Sequence, residues 1–164
     1  MSTAARSGAR VAVSAIAILA LLAGIFAALV ATKLSARDDT AALRRSVLTA
    51  ARAIALDFSA YDYRHIDHAF SRVASESTGR FRADYVTQSA GIRELIIKAK
   101  AVSHAVIASE GLVDASRTHA HVVIAVDRLV SNTSAPNGQR DSFGLEIELV
   151  RKGGHWLATG VKPL

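Results

Sequence analysis

Residues 143–161 read FGLEIELVRKGGHWLATGV. Phe143, Leu145, Ile147 and Leu149 alternate with Gly144, Glu146, Glu148 and Val150. A period of two sends successive side chains to opposite faces, so this is a strand with one apolar and one mostly polar face. Gly153-Gly154 follows as a two-residue hairpin turn. Residues 156–161 form a closing strand, ended by Pro163. A sheet with one apolar face needs a covering layer, and the chain before it has to supply that layer.

Working back, residues 119–130 (HAHVVIAVDRLV) are rich in β-branched side chains and form another strand. Asn132, Pro136, Asn137 and Gly138 mark residues 131–140 as a turn region. Val102, His104 and Val106 alternate with Ser103, Ala105 and Ile107 in a first strand, closed by Glu110-Gly111. Before Lys100 the period is helical. Leu43, Val47, Leu48, Ala51, Ile54, Ala55 and Phe58 predict a helix over about 40–58, with Asp38 and Asp39 favourably placed at its positive end. Ile66, Ala69, Phe70 and Val73 predict a second helix, stopped at Ser77-Thr78-Gly79. Phe81, Tyr85, Val86, Ile92, Leu95 and Ile96 predict a third, irregular near Gly91, with Lys98 and Lys100 at its negative end. Three helices followed by a four-stranded antiparallel meander is an α+β domain. A curved sheet wrapped around helices is, by analogy, the cone-like plan of nuclear-transport-factor-2-like domains.

Residues 11–32 (VAVSAIAILALLAGIFAALVAT) are 22 consecutive residues without a charge. At about 1.5 Å per residue they span roughly 33 Å as a helix, enough for a hydrocarbon core of about 30 Å. The apolar residues run all the way round, unlike the stripe of a surface helix. A cleaved signal peptide has a shorter apolar region ending at small residues. Here Leu29-Val30-Ala31 and Leu34-Ser35-Ala36 put leucine where a small residue is preferred. The expected organisation is a cytoplasmic tail (1–10), a transmembrane helix (11–32), a linker (33–39) and one domain (40–164). Arg6 and Arg10 precede the span and Lys33, Arg37, Arg44 and Arg45 follow it, so basic residues alone do not orient it.

The chain has no cysteine, which excludes disulfides, a thiol nucleophile and thiolate metal ligands. Its net charge is +6; residues 33–164 carry 18 Lys+Arg against 14 Asp+Glu. The longest basic clusters are the pairs Arg44-Arg45 and Arg151-Lys152. Without aromatic RNA-binding strands or zinc-knuckle spacing, they argue against nucleic acid as a partner. A mildly basic tethered domain suits anionic headgroups near its stem.

Cone folds often enclose a pocket, and some relatives are isomerases or dehydratases using Asp, His and Tyr. Tyr61, Asp62, Tyr63, His65, Asp67 and His68 supply those types. On a helix Asp62 and His65 would share a face, and the carboxylate could orient the imidazole as a general base. The structural alternative is Asp62 as helix cap, the tyrosines packed at the junction and the histidines exposed. His65 and His68 lack a third metal ligand. His119 and His121 share a strand face, with His104 possible on a neighbour, but no carboxylate has matching spacing. No Gly-rich phosphate loop or GxSxG elbow occurs. Asn132-Thr133-Ser134 fits the N-glycosylation pattern, a frequent chance match. The sequence therefore points to no catalytic, cofactor-binding or metal residue and to no cofactor.

Residues 57–89 (DFSAYDYRHIDHAFSRVASESTGRFRADYVTQS) resemble the second and third helices of the Mce-associated membrane proteins of actinobacteria. The tyrosine-aspartate-tyrosine element and TGRFRADY carry the resemblance. Residues 126–164 (VDRLVSNTSAPNGQRDSFGLEIELVRKGGHWLATGVKPL) are similar to that family's last three strands. The resemblance implies a single-pass membrane protein with an extracytoplasmic cone domain. It implies a non-enzymatic accessory or stabilising subunit of an Mce-type lipid or sterol transporter, with transporter components and membrane lipid as partners. No catalytic set comes with the family. Two alternatives stand beside it: a cone-fold pocket enzyme using Asp62 and His65, and an anchored scaffold of a secretion apparatus.

Overall fold

The computed structural model describes residues 39–164. A first helix, α1, covers 39–59. It is followed by β1 (Tyr61–Asp62), a 3-10 turn (Tyr63–His65), α2 (Ile66–Ser75) and α3 (Gly79–Ala99). Four long strands complete the domain: β2 (Val102–Ala115), β3 (His119–Ser131), β4 (Gln139–Lys152) and β5 (His155–Pro163). The sheet is antiparallel throughout, in the order β1-β2-β3-β4-β5. The expected span over 11–32, the tail and most of the linker lie outside the described residues. Among the described residues, no helix is long and apolar enough to cross a membrane.

The curled sheet closes around α1. Val47, Ala51, Ile54 and Ala55 of α1 meet Val122, Ile124 and Val126 of β3, Leu145, Ile147 and Leu149 of β4, and Ala158 of β5 in one buried cluster. The strand register expected for 143–150 holds. Leu145, Ile147 and Leu149 are 1%, 0% and 2% exposed, and Phe143 packs against the cluster's edge. Gly153 and Gly154 turn the β4–β5 hairpin with φ of 56° and 85°, the left-handed region that glycine enters without penalty.

The sheet has five strands, not four, because Tyr61–Asp62 pairs with Ser103 and Val102. The expected first strand does not close at Glu110-Gly111 but continues to Ala115. Irregularities in its pairing with β3 fall between Ile107 and Ser109 and between Leu112 and Asp114. Such bulges bend and twist a strand without ending it. Gly91 does not interrupt α3, and Gly79, at φ 64°, opens α3 instead of capping α2. The third helix also hides less than expected. Ser89 and Ile96 are its only buried positions, whereas Val86, Ile92 and Leu95 are half or more exposed. It packs by a narrow seam through Phe81, Tyr85, Ser89 and Ile96.

Helical segments bridge both edges of the sheet. β1 adds to the β2 edge. The α2–α3 corner adds to the β5 edge, where Ala158 N–H donates to Glu76 O (2.8 Å) and Thr78 N–H to Ala158 O (2.9 Å). The three helices meet around Tyr85, whose ring centroid lies 6.1 Å from those of Phe58 and Phe70 and 6.2 Å from that of Phe81. Burial raises the Tyr85 phenol to about 12, with Asp57 adding to the shift. Ion pairs tie the same layer: Arg72 to Asp57 (3.0 Å) and Arg93 to Asp67 (2.6 Å).

Candidate functional site

Of the six residues singled out between the first two helices, Tyr61, Asp62, His65 and His68 line one cleft, whereas Tyr63 packs against the Ile66–Ile96 cluster and Asp67 pairs with Arg93. Where β1 leaves α1 and docks on β2, an open cleft of about 270 Å³ forms. It is lined by Tyr61, Asp62, His65, His68, Arg72 and His104, among others. Its floor is fixed by Ser103, whose buried hydroxyl donates to the Ser59 carbonyl (2.7 Å). Lys100 closes α3 in the left-handed conformation (φ 50°), and Tyr63 N–H then donates to Ala101 O (3.0 Å).

The expected helical pairing of Asp62 with His65 does not form. Asp62 has extended backbone (φ −132°, ψ 126°) and caps the 3-10 turn, accepting from Arg64 N–H at 2.9 Å. An extended residue does not share the i, i+3 face on which that pairing depended. The Asp62 carboxylate is also engaged by the Arg64 guanidinium, with Nε 3.0 Å from each oxygen. That side-chain contact, with the backbone hydrogen bond, pulls the Asp62 carboxyl down to about 2. So strongly acidic a carboxylate makes a poor proton acceptor. His65 and His68 are exposed, as in the structural alternative, and the cap sits on the 3-10 turn ahead of α2. His104 joins them through the fold, facing Leu129 across the β2–β3 ladder. Among the described residues, no group of three His, Asp or Glu is arranged to hold a metal ion.

His119 and His121 lie at the opposite end of β3 from Leu129, so His104 is not their neighbour. Adjacent strands instead bring two carboxylates to His121. Its Nδ1 is 3.8 Å from Asp114 Oδ2 and its Nε2 is 2.7 Å from Glu146 Oε1, though the latter contact lacks hydrogen-bond alignment. Sequence spacing could not reveal this cluster, because Asp114 and Glu146 come from β2 and β4. Only the cross-strand register carries that signal. The Asn132-Thr133-Ser134 pattern is a structural turn, with Asn132 Oδ1 accepting from the backbone of Ser134 (2.8 Å) and Ala135 (2.9 Å).

A helix-filled, curled antiparallel sheet of this kind is shared by several solved structures. An IcmL-like type IV secretion system protein from Legionella pneumophila superposes with a TM-score of 0.61 at 13% identity, over 74% of this chain and 91% of that one. CagV, a VirB8 homolog from Helicobacter pylori, gives 0.59 at 6% identity, over 73% and 96%. VirB8 from Agrobacterium tumefaciens gives 0.54 at 11% identity, over 73% and 90%. At such identities the likeness is one of fold, which is the α+β class of VirB8-type domains. Comparison with curated protein sequences finds no match. The family described as "Uncharacterized protein Rv1363c/MT1408-like" matches residues 7–162, and the chain belongs to that family.

Proposed function

We propose that this protein is a non-enzymatic accessory subunit of a cell-envelope assembly, anchored by residues 11–32 with its domain outside the cytoplasmic membrane. The observation that carries the reading is what fills the cone. The concave face of the sheet is occupied by α1 side chains, Val47, Ala51, Ile54 and Ala55 among them, all at most 1% exposed. An enzyme of this architecture would keep its substrate there. The cleft beside β1 is open, and its one carboxylate is bound to Arg64. Such a domain offers surfaces to partners better than it offers a reaction chamber.

The resemblance to Mce-associated proteins supplies the kind of assembly, an Mce-type transporter of lipids or sterols. The fold shared with secretion-system proteins favours a second reading, an anchored scaffold of a secretion apparatus. One experiment separates these from each other and from the Asp62–His65 enzyme. Full-length protein is purified from its native membrane in detergent, and lipid uptake is measured in cells carrying Asp62→Asn. Co-purification of Mce permease and ATPase with uptake near wild type is expected. Secretion ATPases in their place would favour the second reading. Lost function at unchanged melting temperature, with no transporter component bound, would overturn both in favour of the enzyme.

A further inference from the structure

Three segments remote in sequence converge on the end of the domain where α1 begins. The β4–β5 hairpin is held to α1 by Trp156 Nε1, which donates to Ser46 Oγ at 3.2 Å. The β2–β3 turn is held to the same hairpin by Arg151 N–H, which donates to Thr118 O at 2.8 Å. Within two residues of these two contacts lie Arg44, Arg45, Arg117, Arg151 and Lys152, all exposed.

These five cations differ from most others in the domain. Arg52, Arg64, Arg72, Arg80, Arg93, Arg128 and Lys162 each face a carboxylate. Arg44, Arg45, Arg117, Arg151 and Lys152 have no carboxylate partner among the described residues. Arg151 lies over the Trp156 ring, 5.8 Å from its centroid, and Lys152 donates to Thr78 Oγ1 at 3.1 Å. Both contacts leave the positive charge uncompensated. Even with Asp38 and Asp39 counted against them from the sequence, the surplus at this end is positive.

We propose that this end of the domain is a docking surface for the anionic headgroups of a lipid bilayer, an inference that rests on reading residues 11–32 as an anchor. The occupant follows from charge and from tether length. The apolar run stops at Thr32, 12 residues before Arg44. Even fully extended, that linker keeps Arg44 within roughly 40 Å of the bilayer. A tether turns a weak surface attraction into an intramolecular one with a high effective concentration. Each Lys or Arg near an anionic surface contributes about 1 kcal/mol, or roughly five-fold in the docking equilibrium. Screening within about 8 Å at physiological salt makes that attraction salt-sensitive.

Trp156 is the single tryptophan of the chain and sits beside the five cations. Full-length protein is reconstituted into vesicles of phosphatidylcholine, with or without phosphatidylglycerol, each with a trace of headgroup-dansylated lipid. Energy transfer from Trp156 to dansyl reads how closely this end approaches the surface. Transfer should be higher in the phosphatidylglycerol vesicles and fall to the phosphatidylcholine level in high salt. Arg117→Ala with Lys152→Ala should weaken docking about 25-fold by the same per-charge figure. Arg140→Ala, whose side chain belongs to the other end of β4, should leave the transfer unchanged. Equal transfer in the two lipids from a carbonate-resistant, bilayer-inserted chain overturns the docking surface alone. Release of the chain by carbonate overturns the anchor and the docking together.

Discussion

Two carboxylates on the helical layer show how environment sets opposite behaviour. Asp62, bonded to Arg64 through side chain and backbone, has its carboxyl lowered to about 2. Its stabilising contribution is present above the ordinary value of 3.8 and is lost as pH falls through about 2. Asp62→Asn keeps an acceptor for the Arg64 N–H but loses the charge. It should melt slightly below wild type at neutral pH, with the gap closing toward pH 2. Asp62→Ala should melt lower than either at neutral pH. An Asn variant as unstable as the Ala variant would refute the capping role. Glu76 behaves in reverse. Burial, then Asp57, raises its carboxyl above 4.5, against the smaller pull of Arg72, and its Oε2 has no hydrogen-bond partner. A raised carboxyl stabilises the fold below the ordinary value and loses that contribution as pH rises through the raised one. Glu76→Gln should therefore raise the melting temperature at pH 7, with a gain that fades below about pH 4.5. A lower melting temperature at pH 7 would show that the carboxylate is needed where it stands.

The β4 strand carries the strongest test of an element. Leu145→Ala removes a side chain that is 1% exposed and should cost about 2–5 kcal/mol in urea or thermal unfolding. Glu146, on the opposite face beside His121, should cost far less on the same change. Equal losses would mean that the register is wrong. Strand β4 was legible because its alternation runs unbroken from Phe143 to Val150. Helix α1 was legible because its 3.6-residue stripe, Val47, Ala51, Ile54 and Ala55, packs on one face of the sheet. Helix α3 is legible in position but not in burial. Its apolar residues surround it, and a pattern without a single stripe does not say which side packs. Strand β1 was missed because two residues carry no period. Tyr61 and Asp62 become a strand only because Val102 and Ser103 lie beside them.

For the whole molecule, the expected topology puts the domain outside the cytoplasm. A reporter fused after Leu164 should be active only on that side of the membrane, and cytoplasmic activity would refute the arrangement. The chain's own pattern determined the α+β class, the apolar run over 11–32, the main helices and strands, the inward face of β4 and the Gly153-Gly154 turn. These follow from local periodicity and backbone preference, which a sequence carries in full. Tertiary structure alone decided the rest. It sewed β1 and the Ser77 corner to the two edges of the sheet and filled the cone with α1. It took Asp62 from His65 and gave it to Arg64, and it set Asp114 and Glu146 beside His121. It also gathered Arg44, Arg117 and Arg151 at one end. Each of these depends on strand register or on contacts between segments far apart in the chain, and no local period encodes either.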